Sequence, residues 1–232
     1  MIDIRPFATL GHADHGWLNA RHHFSFANYY DPGRTEWGAI RVWNDDEIAA
    51  RSGFPPHPHS DMEIITYVRE GAITHQDSMG NKGRTAAGDV QVMSAGTGVR
   101  HAEYNLEDEK TTLFQIWVQT ARPGAEPGWG ARAFPKDDRA GTFVTLASGF
   151  AEDEEALRIN AAARVLGATL KAGEQAELSL DPTRHVYLVA VGGAIEVNGR
   201  RAEPRDGVAV TGEERLAIKA LEDAEIVLVD AR

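Results

Sequence analysis

Short runs of β-branched and aromatic residues, each closed by glycine, proline or asparagine, recur through most of this chain and argue against a fold built on long helices. Glu63-Ile64-Ile65-Thr66-Tyr67-Val68 ends at Glu70-Gly71 and is followed by Ala72-Ile73-Thr74-His75, which predicts a hairpin. A turn at Asp77 to Asn81, and the Ala87-Gly88-Asp89 stop before Val90-Gln91-Val92-Met93, extend the series. Thr112 to Val118 predicts a further strand. Strand-like segments resume at Ala163, and Asn198-Gly199 after Ala194-Ile195-Glu196-Val197 has the signature of a two-residue hairpin. Between the two series, Arg122 to Gly141 holds three prolines and four glycines without a sustained period, which predicts a linker. Glu152 to Leu157 is predicted to form one short helix. The expected fold class is all-β.

A chain of 232 residues with 42% hydrophobic content can bury a substantial core, as one large β domain or two small ones. It contains no cysteine, so disulfides, thiolate zinc sites and cysteine nucleophiles are excluded. Imidazole and carboxylate are then the only strong metal ligands on offer. The formal net charge of −11 disfavours direct binding to nucleic acid or to an anionic membrane. Asp3, Arg5, Asp14 and Arg21 interrupt the region where a secretory signal would need an apolar stretch, and no run of about 18 apolar residues occurs to span a membrane. The expected setting is soluble and cytoplasmic.

The two halves can be laid on one another. EIITYVREGAI (63 to 73) aligns with HVYLVAVGGAI (185 to 195) at an offset of 122 residues, with matching Gly-Ala-Ile endings. In that register His57 falls opposite Ser179 and His59 opposite Asp181. With a short deletion, GDVQVMSAGTGVRHAE from Gly88 follows RDGVAVTGEERLAI from Arg205, and His101 and Glu103 meet Leu216 and Ile218. Two related β units are expected, of which only the first keeps a complete polar set at these positions.

Those positions matter because His57-Pro58-His59 and His101-Ala102-Glu103 each place two metal-binding side chains two residues apart, and on a strand residues i and i+2 share a face. Two such strands facing one cavity would gather three imidazoles and a carboxylate. That donor set suits iron, manganese, nickel, copper or zinc, so ligand type leaves the ion open. It also leaves exchangeable positions on a five- or six-coordinate ion, whereas a closed structural zinc site would use all four ligands.

Other candidates have ordinary readings. Adjacent His22-His23 would point to opposite faces of a strand, and these residues, with His12 and His15, are expected to pack or lie at the surface. His75 is expected to be a hydrogen-bonded structural histidine, with cavity lining as the other reading. Gly96-Thr97-Gly98 lacks the helix and lysine of a phosphate loop and is expected to be the tight turn that delivers His101. The acidic runs Asp45-Asp46-Glu47 and Glu152 to Glu155 are expected at the solvated surface. Which of Phe24, Phe26, Tyr29, Met62 and Met93 face the metal depends on distant strands.

HPHSDMEIITYVREGAITHQDSMGNKG (57 to 83) and GDVQVMSAGTGVRHAE (88 to 103), with HHFSFANYYDP (22 to 32) and IRVWNDDEI (40 to 48), resemble the pirins, a bicupin family that includes bacterial quercetin 2,3-dioxygenase-like proteins. ALRINAAARVLGATLKAG (156 to 173) and LEDAEIVLVD (221 to 230) extend the resemblance over almost the whole chain. It implies two stacked cupin barrels of the double-stranded β-helix or jelly-roll type: a metal-binding domain over residues 1–125 and a second cupin domain over 126–232 that lacks the metal ligands. It further implies Fe(II), with zinc, manganese, nickel, copper or cobalt as other ions such a set accepts, bound by His57, His59, His101 and Glu103. The general cupin pattern would place the carboxylate at Glu63; the pirin pattern places it at Glu103. The implied activity is oxidative cleavage of a flavonol such as quercetin by dioxygen, releasing carbon monoxide and a depside, with Glu103 as ligand or as base for the 3-hydroxyl. The pirins of higher organisms imply an alternative, a metal-dependent redox sensor acting through a protein partner with little catalysis. A cupin isomerase or another oxygenase with an unrelated small substrate is a third reading.

Overall fold

The punctuated strand pattern becomes twenty-two short strands in the computed structural model, which describes residues 1–232. The first half contains β1 (Ile2–Arg5), β2 (Gly11–Asp14), β3 (Leu18–His22), β4 (Ile40–Ile48), β5 (Ser52–His59), β6 (Met62–Glu70), β7 (Ala72–Asp77), β8 (Lys82–Ala86), β9 (Val90–Ser94), β10 (Val99–Asn105) and β11 (Thr111–Gln119). The second contains β12 (Gly128–Arg132), β13 (Val144–Ser148), β14 (Leu157–Arg158), β15 (Ala163–Leu170), β16 (Gln175–Ser179), β17 (His185–Gly192), β18 (Ile195–Val197), β19 (Arg200–Ala202), β20 (Gly207–Thr211), β21 (Arg215–Ala220) and β22 (Ala224–Ala231). Two 3-10 turns, Phe7–Thr9 and Lys136–Arg139, complete the regular structure, and no helix is long and apolar enough to cross a membrane.

These strands build two barrels, each from a seven-stranded and a four-stranded sheet. The order β12-β9-β6-β11-β4-β3-β2 in the first is answered by β1-β20-β17-β22-β15-β13-β14 in the second, and β5-β10-β7-β8 by β16-β21-β18-β19. The expected all-β fold of two cupin barrels is therefore observed. At each end a strand crosses the 125/126 division: β1 pairs with β20 of the second barrel, and β12 with β9 of the first.

Two local expectations are corrected. The predicted linker over 122–141 carries β12 and a 3-10 turn, because Gly128 to Arg132 finds a sheet edge at β9. The predicted helix over Glu152 to Leu157 is a series of turns ending in β14. Six residues are too few to repay helix nucleation, and the Asp153 carboxylate is taken instead by Ser148 and by Arg164 Nε at 2.6 Å.

The two large sheets pack face to face around a 23-residue apolar cluster that includes Trp43, Tyr67 and Phe114 from one barrel and Tyr187, Val227 and Val229 from the other. Inside the second barrel, 18 buried residues form one continuous cluster. Inside the first, the apolar core is split into clusters of six and four residues. A polar layer occupies the space between them.

Candidate metal centre

The geometry of that layer follows from β5, β10 and β7. Strand β5 lies at a sheet edge, which tolerates Pro55, Pro56 and Pro58 because their missing N–H groups break no inner ladder. A bulge shifts the β5/β10 register, so that His101 lies opposite His57 while Glu103 lies opposite Phe54. Gly53 permits the close approach there, since a Cβ on it would stand 2.3 Å from the Glu103 carbonyl oxygen. On the other side of β10, His101 faces Asp77 and Glu103 faces His75.

Ligand atoms of His57, His59 and His101 fall within 4.8 Å of one another, and those of His75, His101 and Glu103 form a second group within the same limit. His101, common to both, links all four residues of the two sequence pairs. His57 and His59 are half-buried at the rim, whereas His75, His101 and Glu103 are buried.

Hydrogen bonds fix where the imidazole protons sit. The Pro55 carbonyl can only accept, so His57 Nδ1 donates to it at 2.7 Å and leaves Nε2 bare. His75 Nε2 donates to Asp77 Oδ2 at 3.0 Å. Its Nδ1 then accepts from His101 Nδ1 at 3.3 Å, and His101 Nε2 is also left bare. These two lone pairs face each other across 3.1 Å. At that distance they repel unless a cation lies against both, and nitrogens bound at ~2.1 Å and at right angles to one ion would stand ~3.0 Å apart. His59 Nε2 is buried without a hydrogen-bond partner. Burial and the neighbouring histidines hold His59 down at about 4 and His101 at about 3, which keeps both rings neutral at pH 7. The donor set fits a metal ion.

Glu103 is held by three neutral donors. Its Oε1 accepts from Thr66 Oγ1 at 3.2 Å and Gln91 Nε2 at 2.6 Å, and its Oε2 from Gln115 Nε2 at 2.8 Å. The Gln115 amide is itself oriented by Trp117 Nε1, which donates to its Oε1 at 3.3 Å. Burial lifts the Glu103 carboxyl to about 7, while the three donors pull the other way. Glu63 is engaged elsewhere: its Oε2 accepts from Ser94 Oγ at 2.5 Å and from the Asn160 amide of the second half at 3.0 Å.

The remaining sequence candidates separate cleanly. His75 combines both of its readings, since it is hydrogen-bonded and buried, stacks on Trp129 with centroids 5.0 Å apart, and touches His101. Its i, i+2 partnership with Asp77 repeats the spacing of the two recognised pairs. Thr66, Gln91 and Gln115 carried a signal too, as polar residues on otherwise apolar strands. His22 and His23 do face opposite ways, toward Asn44 in the first barrel and Tyr187 in the second. Phe26 packs edge-on against Trp117, which in turn packs on His59, whereas Phe24 lies between the barrels on Tyr187. The Asp45-Asp46 run is not at the surface. Asp45 is buried between the barrels and accepts from Arg69 and from Arg205 Nε at 2.6 Å; Asp46, on the opposite face, is buried in the first barrel.

Sheet register shows what the second barrel has in place of this site. His75, Glu103, Thr66, Gln91 and Gln115 are matched by Val197, Ile218, Leu188, Val208 and Leu228, all within the 18-residue core. Burying an aliphatic side chain gives about 1.5–3 kcal/mol, so the first barrel forgoes that gain at each of these positions. Leu216 stands at the place of His101, but it pairs with Leu178, so the position facing it is Leu178 and not the expected Ser179. The second barrel lacks the bulge that adds a residue to β5.

Comparison with known proteins agrees with this architecture. A family model described as Pirin matches residues 4–118, and one described as the quercetinase C-terminal cupin domain matches residues 145–231. A pirin-like protein of Caulobacter vibrioides is 66% identical over 231 residues, covering 100% of both chains. The chain belongs to the pirin family. A second pirin relative, the quercetin 2,3-dioxygenase of Escherichia coli K12, is 43% identical over 231 residues, covering 99% of this chain and 98% of that one. Among solved pirins, the crystal structure of bacterial pirin YhhW from Escherichia coli in complex with nickel(II) superposes with a TM-score of 0.93 at 41% identity, covering 100% of this chain and 99% of that one.

Proposed function

We propose that this pirin is an iron-dependent dioxygenase that cleaves a flavonol such as quercetin, with His57, His59, His101 and Glu103 as the metal ligands. The observation that carries the reading is the pair of bare, facing Nε2 atoms of His57 and His101, with the unpartnered Nε2 of His59 beside them. The names of its relatives supply the substrate class, and the nickel(II) complex of YhhW supports metal binding as such. When bound, an Fe(II) ion supplies Lewis acidity toward an acidic hydroxyl and the one-electron chemistry that dioxygen needs.

The chain's own residues do the rest. His75 and Asp77 hold the His101 ring in the tautomer that presents Nε2. Gln115, Gln91 and Thr66 aim the Glu103 carboxylate. Oε2 accepts only one of these bonds, so it retains a lone pair for the ion or, on release, for the flavonol 3-hydroxyl proton. Phe54, Phe26 and Trp117 supply aromatic walls around the histidines. The test is anaerobic loading with Fe(II), addition of quercetin, and admission of air: carbon monoxide and the depside are expected in equal amounts, and no turnover would refute flavonol cleavage.

A further inference from the structure

Beside the candidate metal centre the first barrel holds a cavity of about 300 Å³, open to solvent at His12, His15 and Asn28 and at the lower end of the ~300–1,000 Å³ typical of small-molecule sites. Its walls include Phe26, Phe54, Tyr29, His22, Gln115 and Asp46. Gln115 is also the residue that donates to Glu103, so cavity and metal site share a wall. Asp46 is 2% exposed, and its Oδ1 has no hydrogen-bond partner. Its neighbours on this face are already paired: His22 Nδ1 and Asn44 Oδ1 are 2.8 Å apart. The fold does not require a carboxyl here, because the matching place in the second barrel, set by the Leu113–Asp46 and Ile226–Ala168 pairs, holds Ala168. Asn44, opposite Gln115, is two residues from Asp46, and two strand residues span about 7 Å, roughly the width of a fused aromatic ring system.

We propose that Asp46 determines ligand specificity in this cavity, its carboxyl hydrogen-bonding a hydroxyl on the far part of a polyhydroxylated aromatic ligand whose near end lies at Gln115, toward the metal ligands. This rests on the flavonol reading above for the ligand class. Burial and the Asp45 and Glu103 carboxylates push the Asp46 carboxyl well above the usual range, so it can donate to a substrate oxygen as well as accept from one. A site built to pair with a hydroxyl discriminates against an analogue that lacks it more strongly than an apolar wall does.

The test is anaerobic calorimetric titration of the metal-loaded full chain with quercetin and with 3-hydroxyflavone, which keeps the metal-binding hydroxyl and lacks the others. Wild type is expected to bind quercetin at least about tenfold more tightly. In Asp46→Ala, chosen because Ala168 fills the matching place, that ratio should fall to about one through loss of quercetin affinity alone. Asp46→Asn, which keeps hydrogen-bonding atoms, should retain most of it. Equal wild-type affinities, no binding of either compound, or undiminished discrimination in Asp46→Ala would each overturn the proposal. Carbon monoxide release is measured separately: its absence would defeat flavonol cleavage while leaving the binding result for Asp46 intact.

Discussion

His57 and His101 sit directly opposite each other on β5 and β10, and their unprotonated Nε2 atoms face each other across 3.1 Å. An ion that removes this repulsion binds the folded chain and not the unfolded one, so it should raise thermal stability. At a free concentration 100 times its Kd the gain is about 2.7 kcal/mol, or about 5–10 °C for a chain of this size. Scanning calorimetry with and without Fe(II) under anaerobic conditions measures it, and an unchanged Tm would show that no ion binds the folded state preferentially.

On the proposed ligand set, His75 would act on a bound ion through His101, which it contacts. Removing it in His75→Ala frees the His101 ring to change tautomer, and metal affinity should fall about 10- to 100-fold. Competition against a chelator of known affinity reads the change. Affinity within twofold of wild type would mean that the Asp77–His75–His101 chain does not orient the ligand.

How much of this could be read beforehand depends on where each residue's partner lies. The strands and the clustering of the His57/His59 and His101/Glu103 pairs were legible because alternation and i, i+2 spacing are local properties. The role of Asp46 was not, because an acidic run is usually solvated, and only the packing of β4 between two barrels buries Asp45 on one face and Asp46 on the other. The absent helix at Glu152 was lost to long-range partners of Asp153. Likewise β12 formed because β9 offered an edge, which the composition of 122–141 could not reveal.

Asp46 also sets a pH dependence. Burial, Asp45 on its own strand and Glu103 on β10 raise its folded value well above 3.8, with Arg69 on β6 opposing, while His12, His15 and His22 line the same cavity. Below 3.8 both folded and unfolded chains hold the proton, and the residue costs nothing through ionisation. As pH rises, the unfolded chain ionises first, so stability is lost until the folded carboxyl also ionises. The Tm advantage of Asp46→Asn over wild type should therefore be constant below about pH 4 and widen toward neutrality. A gap that does not change with pH would contradict the assignment.

Gly83 supports the site from behind. A Cβ added there would meet Trp129 Cη2 at 2.3 Å, and Trp129 is the ring stacked on His75. Gly83→Ala should cost about 1–3 kcal/mol by overpacking and weaken metal retention through the displaced Trp129. Urea unfolding and near-ultraviolet circular dichroism test both effects, and wild-type values for both would place Trp129 outside the support of His75.

The ligand set is tested most directly by the metal content per chain of Glu103→Gln beside Glu63→Gln and His57→Ala, each loaded anaerobically with Fe(II) and freed of excess ion. The expected result is about one ion in wild type and in Glu63→Gln, with much lower occupancy in His57→Ala and Glu103→Gln. Full occupancy in Glu103→Gln with loss in Glu63→Gln would contradict the assignment and move the carboxylate ligand to β6.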